Sequence, residues 1–444
     1  MAKNIIKKLP FEFKYGLYDI FIDENIKYHR QYKEVDEKGR YLYWDEFEWR
    51  VNEKDNPLIA WYAVKVHRMM GRKLLSLYDK ENKLFSYTVP SSLQAKLYKI
   101  SDFSREGIVP SNSIGEKYLI SSLVMEEAIS SSQLEGALTT RRVAKDMLAS
   151  ERKPRNEDEQ MIVNNYLLMK EIKSDRYEEL SIDIILKFHK IVTQGTTENR
   201  VIPGQLREDD EIYIADGMDG NVIYQPPTYS ELPKRLKQLC DFANESHTDA
   251  DFINPVLKAI ILHFMMGYIH PFSDGNGRTA RALFYWFMLK HNYEYFEYVS
   301  ISKLLKEAPA KYGKSYLYSE YDDNDLNYFI YYQVDIILRA IDELRNYLHI
   351  KSKEFEEITE ILKGSSLSDK LNFTQKDIVK KSIKSPGRVF TANEIAVDYD
   401  KTANTARKYL NELVKYKILA NYKDGKTISY IAPENLHDIL KKAK

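Results

Sequence analysis

Cysteine is almost absent: the 444-residue chain holds one, Cys240, which excludes an internal disulfide and a thiolate zinc cluster. Glycine and proline are sparse at 17 and 14 positions, so collagen-like, low-complexity and wholly disordered classes are excluded. Net charge is missing too, because 66 basic residues face 66 acidic ones, which argues against a polyanion binder built on bulk charge. No apolar run is long enough to span a bilayer; the longest, roughly Ala259 to Ile269, contains His263. Met1 to Gly16 is basic but lacks the apolar stretch of a secretory signal, so a soluble, cytoplasmic protein without a membrane partner is expected. The 34 tyrosines have an ordinary explanation in rings packed inward with wet hydroxyls.

The length fits two to four domains, and their boundaries come from changes of pattern, since no fixed repeat or biased linker is present. Residues 1–100 read as a mixed region of unassigned role, with Phe11 to Tyr15 alternating like a strand and Asp55 to Tyr78 reading as a helix. A mainly α domain is expected over 101–348. Its helices are read at 117–136, Glu157 to Lys173, Ser181 to Thr193, Leu232 to Asn244, Asn254 to Ile269, Asn276 to His291 and Leu326 to Leu348. Inside it, Glu211 to Ala215 and Val222 to Tyr224 flank an Asp- and Gly-rich stretch, the pattern of a β-hairpin.

The tail changes character. Residues 364–444 hold 16 Lys or Arg against 9 Asp or Glu, a net of +7. A short helix from Thr391, a second at Thr402 to Tyr416 and a hairpin turning at Asp424-Gly425 follow the order of a winged helix-turn-helix. On the second helix Asn404, Arg407 and Lys408 are placed to reach DNA, whereas a protein-docking or dimer module uses the same architecture.

The chemistry concentrates in His270-Pro271-Phe272-Ser273-Asp274-Gly275-Asn276-Gly277-Arg278-Thr279-Ala280-Arg281. A Gly-Asn-Gly turn opening a helix presents unpaired backbone N–H groups at the positive end of the dipole, a ready phosphate site. Arg278 and Arg281 stand in the first turn, where cations oppose the dipole unless an anion lies nearby. Asp274 offers a hard oxygen for Mg²⁺, and His270 titrates near neutrality and can take a proton from an attacking hydroxyl. Each signal alone is common in turns and cores; their joint spacing is not. Neither a P-loop nor a kinase Gly-rich loop is present.

This run resembles the signature of the Fic (Fic/Doc) family: His-Pro-Phe, any residue, Asp or Glu, Gly-Asn, Gly or Lys, Arg, two of any kind, Arg. Every fixed position is met, and the resemblance covers about residues 110–320. It implies a helical Fic core that transfers AMP from ATP to a Ser, Thr or Tyr hydroxyl of a protein, the chain itself included. On that resemblance His270 is the general base and Asp274 the Mg²⁺ ligand; Gly275, Asn276 and Gly277 cradle phosphate, Arg278 and Arg281 hold the outer phosphates, and Tyr316 lies near adenine. The hairpin over 211–224, with Ile212, Tyr213 and Ile214, resembles the family's flap, which aligns a target by strand addition.

Ser131-Ser132-Gln133-Leu134-Glu135-Gly136 likewise matches the family's inhibitory motif: Ser or Thr, three of any kind, Glu, then Gly or Asn. Ser131 and Glu135 share one helix face, and the carboxylate at a negative helix end calls for a cation, which Arg281 would supply. The resemblance implies a self-inhibited adenylyltransferase that in some members also removes AMP. Two other classes stay open: a nucleotide-sensing, DNA-binding transcription regulator with little turnover, and a transferase for another nucleotide or for phosphate. A homodimer is compatible with any of them.

Overall fold

The computed structural model describes residues 6–11, 26–105, 125–149, 152–196, 201–215, 220, 222–363, 370–384, 387–424, 427–433 and 436. Most of the expected Phe11 to Tyr15 strand, residues 117–124 of the expected helix, the hairpin tip and Gly425 lie outside the described residues.

The amino-terminal region carries helices α1 (Ile26–Gln31), α2 (Trp44–Phe47), α3 (Pro57–Met70) and α4 (Ser91–Phe103) and the strands β1 (Lys73–Tyr78) and β2 (Leu84–Tyr87). The helix expected over Asp55 to Tyr78 is therefore corrected. Asn56 caps it by accepting from the Leu58 amide, and it stops at Met70 against Gly71. Beyond Gly71 the period drops to two, with Leu75 and Leu77 buried, and β1 pairs antiparallel with β2 around a turn in which Asn82 takes positive φ.

This region is welded to the helical core. Lys65 pairs with buried Asp322 at 2.6 Å, and Arg68 lies 3.6 Å over the Tyr41 ring while donating to the Tyr328 hydroxyl. Thr88 and the Asn327 side-chain amide exchange two hydrogen bonds of 2.7 and 2.9 Å. One hydrophobic cluster joins this region, from Ile6 to Phe103, to residues between Leu168 and Leu344.

Around it stand α5 (125–134), α6 (Arg141–Ala149), α7 (Glu157–Ser174), α8 (Ile182–Thr193), α9 (Leu232–Asn244), α10 (Pro255–Ile269), α11 (Asn276–Lys290), α12 (Ile301–Glu307), α13 (Pro309–Tyr321) and α14 (Asn327–Lys363). α10 is mostly apolar and buried on nearly every face, Lys258 and His263 included, so it sits at the centre and packs chiefly against α11. Asn254 caps it by accepting from Val256, with Pro255 at the first helical position. The hairpin forms from β3 (Ile214–Ala215) and β4 (Val222–Tyr224). α14 extends 15 residues past the expected end at Leu348 and leads to a second hydrophobic cluster between Leu371 and Leu436.

That cluster is built by α15 (Phe373–Lys384), α16 (Ala392–Asp398), α17 (Ala403–Lys415) and an antiparallel sheet of β5 (Val389–Thr391), β6 (Ala420–Asp424) and β7 (Thr427–Ile431), ordered β5-β7-β6. Thr391 and Glu394 close a capping box on α16, and Ala406, Leu410 and Leu413 turn inward from α17. α16 rests against α6, which packs with α5 and α7 in a third apolar cluster formed by Met125, Ile129, Ala144, Met147, Leu148 and Ile162. No helix among the described residues is long and apolar enough to cross a membrane.

Candidate active site

The loop between α10 and α11 is shaped by a strained residue and a buried ring. His270 ends α10 in the left-handed region, φ 47°, a conformation costly for a residue with a Cβ and typical of functional turns. Phe272 is fully buried and stacks on the His189 imidazole with centroids 3.6 Å apart. Asn276 pins the turn: its Oδ1 accepts from the Phe272 amide at 3.0 Å while its Nδ2 donates to the Phe272 carbonyl at 2.8 Å. The side chain expected in a phosphate cradle is thus engaged in holding the loop. Gly275, φ 78°, opens α11, and a Cβ there would strike Thr193.

The first bond of α11 runs from the Thr279 amide to the Gly275 carbonyl, so the amides of Asn276, Gly277 and Arg278 have no partner within the helix. Two guanidiniums stand behind them, each about 1% exposed. Arg278 donates to the Val192 carbonyl at 2.8 Å and to Asp274 Oδ2 at 3.0 Å, yet its buried Nε has no partner among the described residues, and burial pushes its pKa down. A buried cation with an unused donor is a place for an anion. Arg281 is heavily engaged: Nε and Nη2 donate to the Ser131 Oγ, Nη2 to the Ser131 carbonyl and Nη1 to Glu135 Oε1 at 3.0 Å. Burial opposes its charge, but Glu135, Tyr312 and Glu127 together outweigh that and raise its pKa.

Ser131 and Glu135 are therefore brought to Arg281 from α5, and Gly136, φ 104°, turns the chain away. The Glu135 carboxylate also occupies the space where any side chain at Gly277 would stand. It stands beside the first turn of α11, at the positive end of that helix.

His270 Nδ1 is 3.2 Å from the Gly267 carbonyl, so Nδ1 carries the hydrogen and Nε2 keeps its lone pair. Burial lowers the pKa of this imidazole, which keeps it neutral at physiological pH. The Asp274 carboxylate is 39% exposed, with Oδ2 on Arg278 and no partner for Oδ1 among the described residues. That half-free hard oxygen fits Mg²⁺. Among the described residues no group of three or more His, Cys, Asp or Glu side chains could hold a metal alone, so the other ligands would be phosphate oxygens and water.

Tyr316 packs against Gly267 and stacks on Phe264, 4.9 Å between centroids, with its hydroxyl 3.4 Å from the His263 carbonyl. On the hairpin, Tyr213 and Ile214 are exposed and Ile212 is partly so. On α17, Asn404, Arg407 and Lys408 are exposed and far in sequence from the site.

Two residues escaped the sequence reading. Arg207, buried, donates from its backbone to the Pro271 carbonyl at 2.9 Å, from Nε to the His270 carbonyl at 3.0 Å, and from its other nitrogens to Asp209, Asp210 and the Pro227 carbonyl. It ties the loop between α10 and α11 to the base of the hairpin. His189 accepts at Nδ1 from the Gly204 amide at 3.0 Å and donates from Nε2 to the Asp274 carbonyl at 3.0 Å; burial drives its pKa down to about 4. Both act on backbone groups, and no local pattern marks such partners.

Residues 179–288 match the profile described as Fic/DOC family. The chain is similar to the protein adenylyltransferase fic-1 of Caenorhabditis elegans, 32% identical over 120 residues, covering 27% of this chain and 21% of that protein. It is also similar to protein adenylyltransferase Fic of Nematostella vectensis, 30% identical over 121 residues, covering 27% of this chain and 24% of that protein. The chain thus spans between a fifth and a quarter of the length of these curated relatives. Among solved structures, a Fic family protein from Desulfovibrio desulfuricans G20 aligns with TM-score 0.47 at 14% identity over 76% of this chain and 94% of that one. Residues 134–508 of C. elegans Fic-1 align with TM-score 0.47 at 20% identity, over 59% and 73% of the two chains.

Proposed function

We propose, from the match of residues 179–288 to the Fic/DOC family profile, that the chain is a self-inhibited protein adenylyltransferase moving AMP from ATP to a Ser, Thr or Tyr hydroxyl of a protein. One observation carries the reading: a neutral His270 stands at the rim of an amide nest backed by two buried guanidiniums, and among the described residues its Nε2 is unengaged and the Arg278 Nε has no partner. The unpaired amides of Gly277 and Arg278 and the Arg278 Nε would hold phosphate oxygens. His270 Nε2 takes the proton of the target hydroxyl as its oxygen forms the bond to the α-phosphorus, while the bond to the β-phosphate oxygen breaks and pyrophosphate leaves. Asp274 would hold Mg²⁺, which when bound neutralises phosphate charge. The exposed Tyr213 and Ile214 edge of the hairpin offers a strand for the target to pair with.

The Glu135 carboxylate lies where a polyphosphate would, and its bond to Arg281 removes the second guanidinium from use. That supports self-inhibition. The same carboxylate beside the nest supports hydrolytic removal of AMP from a modified target. Helices α16 and α17 with the β6–β7 hairpin support a winged helix whose Asn404, Arg407 and Lys408 meet duplex DNA; strong weakening of such binding by salt is the expected signature.

Mass spectrometry of the full chain after incubation with Mg-ATP tests the central reading. A gain of one AMP on Tyr, Thr or Ser, larger in Glu135→Gly and absent in His270→Ala, is expected. No AMP on the protein or on any added extract protein, even with Glu135→Gly, overturns it.

A further inference from the structure

α5 and the turn that ends it carry three acceptors at a spacing of four, Glu127, Ser131 and Glu135, so they form one stripe. Ser131 and Glu135 meet Arg281. Glu127 meets something else. It is 3% exposed, and its Oε2 accepts from the Ser300 hydroxyl at 2.8 Å and the Ser302 amide at 3.1 Å, while Oε1 accepts a short bond from the Ser302 hydroxyl. Burial is the largest influence on this carboxyl and pushes its pKa up; the two serines and Arg281 oppose that.

A fully buried carboxylate holding three donors is a rigid joint, because leaving any of them unpaired is costly. The joint ties α5 to the start of α12, eight residues before the contact that covers the nest. α5 has other anchors, the Glu126–Arg141 ion pair at 2.6 Å and its apolar packing on α6 and α7. Those anchors bind it to its own neighbours. A second link to α12, from Lys306 Nζ to Gln133 Oε1 at 2.5 Å, is exposed, where water competes for both groups. Glu127 supplies a buried tie between α5 and the segment after α11; with the Ser131–Arg281 bonds and the buried Asn165–Ser132 bond of 2.7 Å to α7, it sets where α5 stands along its own axis relative to Arg281.

We propose that Glu127 is a positioning residue for the inhibitory contact: bonded to Ser300 and Ser302, it fixes the axial register of α5, so that Glu135 reaches Arg281 and overlies Gly277. The inference rests on the reading that Glu135 restrains nucleotide placement. Release of the site then requires the Glu127–Ser302 joint to open, and any ligand or partner that draws α5 away acts through that joint.

The test uses the full chain with Glu127→Ala and, from the other side of the joint, Ser302→Ala, which lies outside α5 and makes no contact with the nest. Two readouts are taken: AMP incorporation from labelled Mg-ATP, and amide hydrogen exchange over 125–136. Both variants are expected to speed exchange in that segment and to raise incorporation, about tenfold corresponding to only 1.4 kcal/mol. In a Glu135→Gly background the same changes are expected to add nothing, since the joint acts only through Glu135; retained Glu135→Gly activity there also shows that the fold survives. Wild-type exchange and wild-type incorporation in Ser302→Ala overturn the proposal, as do gains that multiply with those of Glu135→Gly. If Glu135→Gly itself incorporates nothing, the adenylyltransferase reading fails, while unchanged or accelerated exchange still decides whether Glu127 holds α5.

Discussion

Glu135 Oε1 lies 3.0 Å from the Nη1 of Arg281, a guanidinium with about 1% of its surface exposed, and the same carboxylate fills the space above Gly277. The cation is thereby paired and the space beside Gly277 is filled. Replacing Glu135 with Gly frees both without disturbing Ser131, which keeps three contacts to Arg281. The expected outcome is tighter Mg-ATP binding by calorimetry and AMP incorporation raised about tenfold or more, tenfold being about 1.4 kcal/mol of transition-state stabilisation. The Arg281 guanidinium stays a cation once its partner is gone, because arginine does not lose its proton in proteins.

His270 sets the pH limit. Burial lowers its pKa below the ordinary imidazole value of 6.5. The proton acceptor is lost only when the ring is protonated, so the rate of Glu135→Gly is expected to be flat through neutrality and to fall in acid, at a pH below that ordinary value. His270→Ala is expected to lower the rate by about 10²- to 10⁴-fold, the usual range for general-base assistance, with nucleotide binding retained. A rate profile that breaks above about pH 7 would contradict this assignment.

What the sequence exposed was whatever the chain keeps within a few residues. The twelve-residue run from His270 to Arg281 and the four-residue step from Ser131 to Glu135 are local, and their geometry follows from one loop and one helix face. The pairing of Arg281 with Glu135 bridges 146 positions, yet it was legible because Ser131 to Gly136 resembles the family's inhibitory motif and a carboxylate at a helix end calls for a cation. Asn276 read as a phosphate ligand because the nest is local, whereas its bonds to the Phe272 backbone belong to tertiary closure of the turn. The false helix past Met70 came from missing the stop at Gly71 and the change of period after it. Arg207, His189 and Glu127 carry no sequence signal, since each is defined by backbone or serine groups from distant segments.

Arg207 joins the His270 carbonyl, the Pro271 carbonyl and the hairpin base at Asp209, Asp210 and Pro227. Lysine cannot reproduce its forked donors. Arg207→Lys in a Glu135→Gly background is expected to lower kcat and raise KM for a protein target together, while Arg207→Ala also destabilises by about 2 to 5 kcal/mol through orphaned carbonyls. Steady-state kinetics with a thermal melt separates the two effects; loss of stability with kcat intact would reduce Arg207 to scaffolding.

His189 makes the site sensitive to acid. Its Nδ1 accepts from the Gly204 amide, so protonation would set two N–H groups against each other, and burial already holds its pKa near 4 against an ordinary 6.5. Between those values the unfolded chain binds a proton that the folded chain does not, so stability rises with pH across that window and is lost as pH falls from 6.5 toward 4. From about pH 7 to pH 5 the loss attributable to this group is about 2 kcal/mol, at 1.36 kcal/mol for each pKa unit crossed. His263, pushed down to about 3 by burial, adds a change of the same sign, so the wild-type slope alone does not isolate His189. The substitution His189→Gln does isolate it, because a glutamine amide keeps an acceptor for Gly204 and a donor for the Asp274 carbonyl but binds no proton. Urea denaturation at about pH 7 and pH 5 is expected to show a smaller acid loss in His189→Gln than in wild type, and equal losses would mean that the His189 pair is not what acid attacks.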